Sequence, residues 1–137
     1  IEMQKVFSKI NKDLLHIYIK SNFKSGREDI ISPDNFLQLS TLSLDKSQSF
    51  QPHQHIWKDV NYKKTIAQES WVIIEGSVKV DYYDTDGSFI SSCILTKGDC
   101  TVTLKGGHNY TSLEKNTLVY EFKTGPYEGV EKDKSLL

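Results

Sequence analysis

From Phe36 onward the chain is a succession of short runs rich in Leu, Val, Ile, Tyr, Phe and Thr, broken by Gly and Asp-containing turns. Runs of this length, too short and too β-branched for helices, make β-strands, and many closely spaced strands pack as a sandwich or barrel rather than a parallel α/β sheet. Strands are expected at Phe36–Leu44, Gln51–Trp57, Trp71–Ile74, Ser77–Tyr83, Ser88–Leu95, Cys100–Leu104, Asn109–Leu113 and Thr117–Lys123. A polar loop runs from Lys58 to Gln68, and Gly125-Pro126 ends the pattern. Before this region, Ile10, Leu14 and Ile17 or Tyr18 are spaced as on one helix face, predicting a short amphipathic helix over residues 10–20. Gly26 and Ser32-Pro33-Asp34 then mark a loop.

With 137 residues and no linker or repeat, one domain is expected: helix and loop over 1–35, β-region over 36–124, charged tail over 125–137. Seventeen basic against eighteen acidic residues, with Arg27 the only arginine, leave no basic face for nucleic acid. No stretch approaches the ~20 apolar residues of a membrane span, and no secretory pattern is readable at the start, so a cytoplasmic protein is the default expectation. Cys93 and Cys100 flank a turn and could bridge, but two reduced, partly buried thiols are the plainer reading.

Glu75-Gly76 suits a tight hairpin turn. In that register Ile73 faces Val78, Trp71 faces Val80 and Glu69 faces Tyr82, all on one side because side chains alternate. Glu69 is thus expected to point inward among large apolar groups. A carboxylate placed there needs a cation or strong donors: a hydrogen bond to Tyr82, a salt bridge to Lys63 or Lys64, or a metal ion. His53 and His55, two apart in an expected strand, would leave the same face and could share an ion, although HxH is more often ordinary surface or core histidine. His108 follows the Gly106-Gly107 break, where the backbone can approach closely. His16 is read as structural.

The order His53, His55, Glu69, Gly76, then Gly98 and His108, resembles the two-motif signature of the cupin superfamily over residues 36–124. LQLS at Leu37–Ser40, PHQH at Pro52–His55, GGH at Gly106–His108 and KTGPY at Lys123–Tyr127 are similar to the small WbuC-like cupins of surface-polysaccharide gene clusters. The spacing between His55 and Glu69 is far longer than the usual motif. Glu69 can therefore sit correctly only if 56–68 bulges outward. Thr103 and Ser112 stand where the second motif has proline and asparagine.

The resemblance implies a cupin-type jelly-roll β-barrel with a divalent metal held by His53, His55, Glu69 and His108. Iron, manganese, nickel and zinc all suit such donors. An open coordination position would let the ion polarise a substrate carbonyl or hydroxyl, or bind dioxygen if it is Fe(II). Tyr82 is the expected proton-transfer group, or else core filler tied to Glu69; Trp71 would wall the site, and Lys63 and Lys64 would hold the phosphates of a phosphate-bearing substrate, or else serve as plain solubilising charge. The expected activity is that of a metal-dependent isomerase or epimerase on a carbohydrate or nucleotide-sugar intermediate in polysaccharide biosynthesis. The alternatives are a non-catalytic sugar-binding or structural metalloprotein, and a metal-independent ketoisomerase using His53 and His55. Open sheet edges favour a homodimer.

Overall fold

Leu14–Ile19 shows best how this chain is organised, because the expected helix over 10–20 is a strand instead. Leu15, Ile17 and Ile19 are buried on one side of it, and His16 is equally buried on the other. A helix at the surface would bury one stripe, whereas a central strand buries both of its faces. The spacing of Ile10, Leu14 and Ile17 therefore mimicked helical periodicity inside a run that is apolar for a different reason.

The computed structural model describes residues 3–24, 26–60 and 64–137. Among them are ten strands: β1 (Met3–Phe7), β2 (Leu14–Ile19), β3 (Arg27–Asp29), β4 (Ser40–Leu42), β5 (Glu69–Glu75), β6 (Ser77–Tyr83), β7 (Phe89–Thr96), β8 (Cys100–Thr103), β9 (Gly107–Ser112) and β10 (Leu118–Lys123). A single helical turn, α1 (Val130–Asp133), lies in the tail.

All pairings are antiparallel. They build a five-stranded sheet in the order β1-β2-β8-β5-β10, a three-stranded sheet β7-β6-β9 and a ribbon β3-β4, none of them closed. The expected all-β class thus holds.

The two larger sheets face each other over a shared core of Val6 and Ile73 from one and Val78, Val80, Tyr82 and Leu95 from the other. The opposite face of the five-stranded sheet is covered by Phe23, Leu37 and Leu39 together with Ile30 and Ile31, which pack on Ile17, Ile19, Val102 and Leu104.

Glu75-Gly76 is not a hairpin turn. β5 pairs with β8 and β10 and β6 with β7 and β9, so Gly76 carries the chain from one sheet to the other. A short glycine turn serves either connection, and both edges of β5 are already taken. Gly76 has φ 85°, and a Cβ there would lie 2.9 Å from the Cα of Thr117. Lys97-Gly98 makes the same kind of crossing between β7 and β8, leaving Cys93 and Cys100 in different sheets as free thiols. The Asp84–Gly87 turn does close a hairpin, between β6 and β7, with Asp84 N–H donating to Ser88 O at 2.8 Å.

Two expected strands shrink or vanish. Phe36–Leu44 is extended and paired only at Ser40–Leu42, and Gln51–Trp57 contains no strand. Pro52 lacks a donor, and alternation puts His53, His55 and Trp57 on one side and Gln54 and Ile56 on the other, so neither face is apolar throughout. Residues 44–60 are exposed, with Trp57 fully so.

Candidate functional site

The registers of the five-stranded sheet set polar side chains in two rows on its inner face. One runs His16, Thr103, Glu69, Lys123 and the next runs Tyr18, Thr101, Trp71, Glu121. Because side chains alternate, both rows look toward the three-stranded sheet. From there β9 contributes His108 and Tyr110, which stand opposite Tyr82 and Val80 in the ladder with β6. Gly106 makes this delivery possible. It has φ +90°, and a Cβ there would come 2.7 Å from Tyr83 O and 3.3 Å from His16 Nε2. Only glycine lets the chain pass this close over the His16 ring before His108.

At the centre, Glu69 Oε2 lies 2.7 Å from His108 Nε2, with side-chain exposures of 17% and 23%. The pair is therefore half-buried yet reachable from solvent. Burial opposes the charge on Glu69, but hydrogen bonds from His108 and Glu121 and the charges of His108 and Lys123 outweigh it and hold the carboxyl at about 2. Glu121 is pushed up, chiefly by sharing a hydrogen bond with Glu69. It also accepts from Trp71 Nε1 at 2.9 Å.

The Trp71 ring stacks on Tyr110 with centroids 3.8 Å apart, forming an aromatic wall beside the two carboxyls. Burial, followed by the charges of Glu69 and Glu121, raises the Tyr110 hydroxyl above its ordinary range. At the end of its row, Lys123 Nζ lies 3.3 Å from Asp133 Oδ2 and 4.2 Å from the Tyr127 ring centre.

Behind the pair, Thr103 Oγ1 touches His108 Nδ1 at 2.7 Å and His16 Nδ1 at 2.9 Å, while His16 Nε2 reaches Tyr83 O at 3.1 Å. Desolvation dominates at His16 and lowers its pKa to about 4.

Of the residues expected to form the site, Glu69, His108 and Trp71 come together and the others do not. Tyr82 is sealed in the core; its hydroxyl meets Thr101 Oγ1 at 2.5 Å and accepts from Cys93 Sγ at 3.6 Å, not from or to Glu69. Burial raises that hydroxyl far above its ordinary range.

His53 and His55 lie on the exposed segment with ring centres 5.9 Å apart, and His53 Nδ1 is engaged by Gln51 O at 2.8 Å. Lys64 lines a shallow cavity of about 370 Å³ with Asp34, Phe36 and Gln68. Neither Glu69 nor His108 lines that cavity or a second one of about 340 Å³ that shares Phe36, Thr65 and Ile66 with it. Lys63 falls outside the described residues.

Among the described residues, no three His, Cys, Asp or Glu side chains are grouped as metal ligands. Glu69 and His108 suit a divalent ion as a carboxylate and an imidazole meeting at one point; the remaining two expected donors stand apart from them.

Sequence reasoning missed Thr103, Tyr110 and Glu121. Each sits in an alternating run with the right inward phase, but which strand faces Glu69 depends on sheet order, which no local signal carries. Among the described residues no helix is long and apolar enough to cross a membrane. Compared with protein-family models, curated proteins and solved structures, the chain matches none.

Proposed function

We propose that this chain is a cupin-type jelly-roll protein that binds a small carbohydrate-like molecule between its two sheets and acts on it as an isomerase or epimerase. The observation that carries the reading is the convergence of Glu69 and His108 from facing sheets at 2.7 Å, beside an aromatic wall and within reach of solvent. Stacked Trp71 and Tyr110 offer a flat apolar face of the kind that packs against a sugar ring. Glu121, hydrogen-bonded to the Trp71 indole at the same wall, is placed to exchange a proton with a bound molecule.

A divalent transition-metal ion belongs to the proposal. Glu69 and His108 would supply two donors, and His53 and His55 would complete the set if the exposed 44–60 segment brings them in. Bound there, the ion would act as a Lewis acid on a carbonyl or hydroxyl. The chain's own residues would orient the substrate, exclude water along Trp71 and Tyr110, and move the proton.

Two measurements test this. Elemental analysis of protein purified without added metal, repeated on His53→Ala and His108→Ala, is expected to find a first-row metal in the wild type and less in each variant. Equal content in all three rejects the proposed ligands. Uptake of deuterium from solvent next to the carbonyl of keto sugars and their nucleotide conjugates, followed by NMR, is expected for the wild type and lost in Glu69→Gln. No exchange by the wild type across the panel rejects the isomerase reading in favour of a non-catalytic module.

A further inference from the structure

We infer that residues 134–137 form a releasable strap across the rim of the site, anchored beside Glu69 at one end and behind His108 at the other. The inference deepens the proposed site and rests on Glu69 and His108 being its centre.

Both anchors sit on direct neighbours of that pair. Lys123 stands opposite Glu69 in the β5–β10 ladder, and its Nζ meets Asp133 Oδ2 at 3.3 Å with both side chains mostly shielded from water. The Tyr127 ring, its centre 4.2 Å from the same Nζ, adds a second hold on the ammonium. Asp133 is thereby fixed against the five-stranded sheet.

By Leu137 the chain has reached the other sheet. Gly107 precedes His108 in β9, and a Cβ on Gly107 would lie 2.6 Å from Leu137 Cδ1. One on Gly87 would lie 3.6 Å from Leu137 Cδ2. Leu137 thus rests in a notch that exists because both positions lack side chains. Side chains alternate along β9, so with His108 facing inward the notch is on the outer face of the three-stranded sheet.

The tail therefore passes from the inner row of one sheet to the back of the other. Packed sheets stand about 10 Å apart, and the extended chain from Asp133 to Leu137 reaches about 14 Å at most. No long detour fits within that length. The segment crosses the rim between Lys123 and Gly107, where Glu69 and His108 meet.

The same strap is built to let go. α1 buries no residue, Lys134, Ser135 and Leu136 are exposed, and Leu137 itself remains 73% exposed. A segment held by one ion pair and one shallow apolar contact opens locally at small cost while both sheets stay intact. Opening bares the rim for a sugar-sized molecule, and closing covers it.

The test is carbethoxylation of histidines by diethyl pyrocarbonate in the full chain, read by peptide mass spectrometry. Exposed His55 is the internal standard, and buried His16 reports that the fold is intact. Relative to His55, His108 is expected to react about threefold faster in Asp133→Asn/Leu137→Ser than in the wild type, with each single variant between. Lys132→Ala, which removes only an ion pair with Glu128, is expected to match the wild type.

Unchanged His108 reactivity in the double variant, with His16 still protected, overturns the strap, and so does an equal rise in Lys132→Ala. Nuclear Overhauser contacts from the Leu137 methyls to the α-protons of Gly107 are expected in the wild type, and their absence overturns it without any variant. Neither readout depends on metal content or exchange activity. Loss of the isomerase reading therefore leaves both standing, and their failure condemns the strap alone.

Discussion

Glu69 Oε2 and His108 Nε2 stand 2.7 Å apart although β5 and β9 belong to different sheets, so this contact is one of the polar ties across the sandwich. Part of each side chain remains solvated, which reduces its worth below that of a fully buried pair. In a double-mutant cycle with Glu69→Gln and His108→Ala, urea unfolding should give single losses of about 1–2 kcal/mol and a coupling near 1 kcal/mol. Strictly additive losses would show that the two groups do not interact in solution.

His16 should make the fold sensitive to mild acid. Its folded-state pKa of about 4 lies below the ordinary 6.5, so the unfolded chain takes up the proton first. The contribution is therefore fully present above 6.5 and is lost as pH falls from 6.5 to about 4, up to roughly 3 kcal/mol for a shift of this size.

The groups acting on the ring are the Tyr83 carbonyl and Asp84, which raise its pKa, and His108, which lowers it. Glu69, depressed from 4.5 to about 2, adds a loss of the same sign at lower pH. Urea midpoints measured down the pH scale should fall steeply for the wild type and stay nearly flat through the upper window for His16→Asn. Parallel curves would show that His16 titrates alike in both states.

The two tryptophans should behave as opposites. Trp57 is fully exposed, whereas Trp71 is half-buried, stacked on Tyr110 and bonded to Glu121. Trp57→Ala should change stability by no more than about 0.5 kcal/mol. Trp71→Ala should cost about 2–3 kcal/mol, at the low end for a large aromatic because the ring is only partly enclosed. Thermal melts of both variants decide this, and a carbohydrate bound at the site should quench the emission of Trp57→Phe.

Gly76→Ala should destabilise by about 2 kcal/mol or more, since the residue has φ 85° and no room for a side chain. The nearest neighbours of an added methyl are the Oγ1, Cα and Cβ of Thr117, with the Cα at 2.9 Å. Removing the hydroxyl in Gly76→Ala/Thr117→Ala should therefore restore little. Full rescue would mean that the clash is with the side chain alone.

Much of the β-region was legible because β6, β8 and β9 alternate and their turns carry glycine or aspartate. Glu69 was readable as inward-facing from its phase with Trp71 and Ile73 alone, even though the partner assigned to it by a hairpin register was wrong. His108 was readable from the double glycine before it. β2 was not, because burial on both faces erases the period that distinguishes strand from helix. The His16–Thr103–Glu69 row was illegible for another reason: its members are local to nothing but one another, and only sheet order makes them neighbours. His53 and His55 show the converse, a spacing that suits shared ligation on a segment the described strands do not include.

That sheet order has a consequence for biosynthesis. β2, near the start of the chain, has β8 as its inner neighbour, and β8 lies against β5, which is completed only by β10. All of the chain between Ile19 and Cys100 must therefore be synthesised before β2 gains its partner on that side. Until then β2 travels with an unmatched backbone edge, even though Ile30 and Ile31 are available to pack on Ile17 and Ile19. Such long-range closure places maturation in the slow millisecond-to-second regime typical of β topologies, and makes truncation before β8 a recipe for aggregation instead of a smaller working protein.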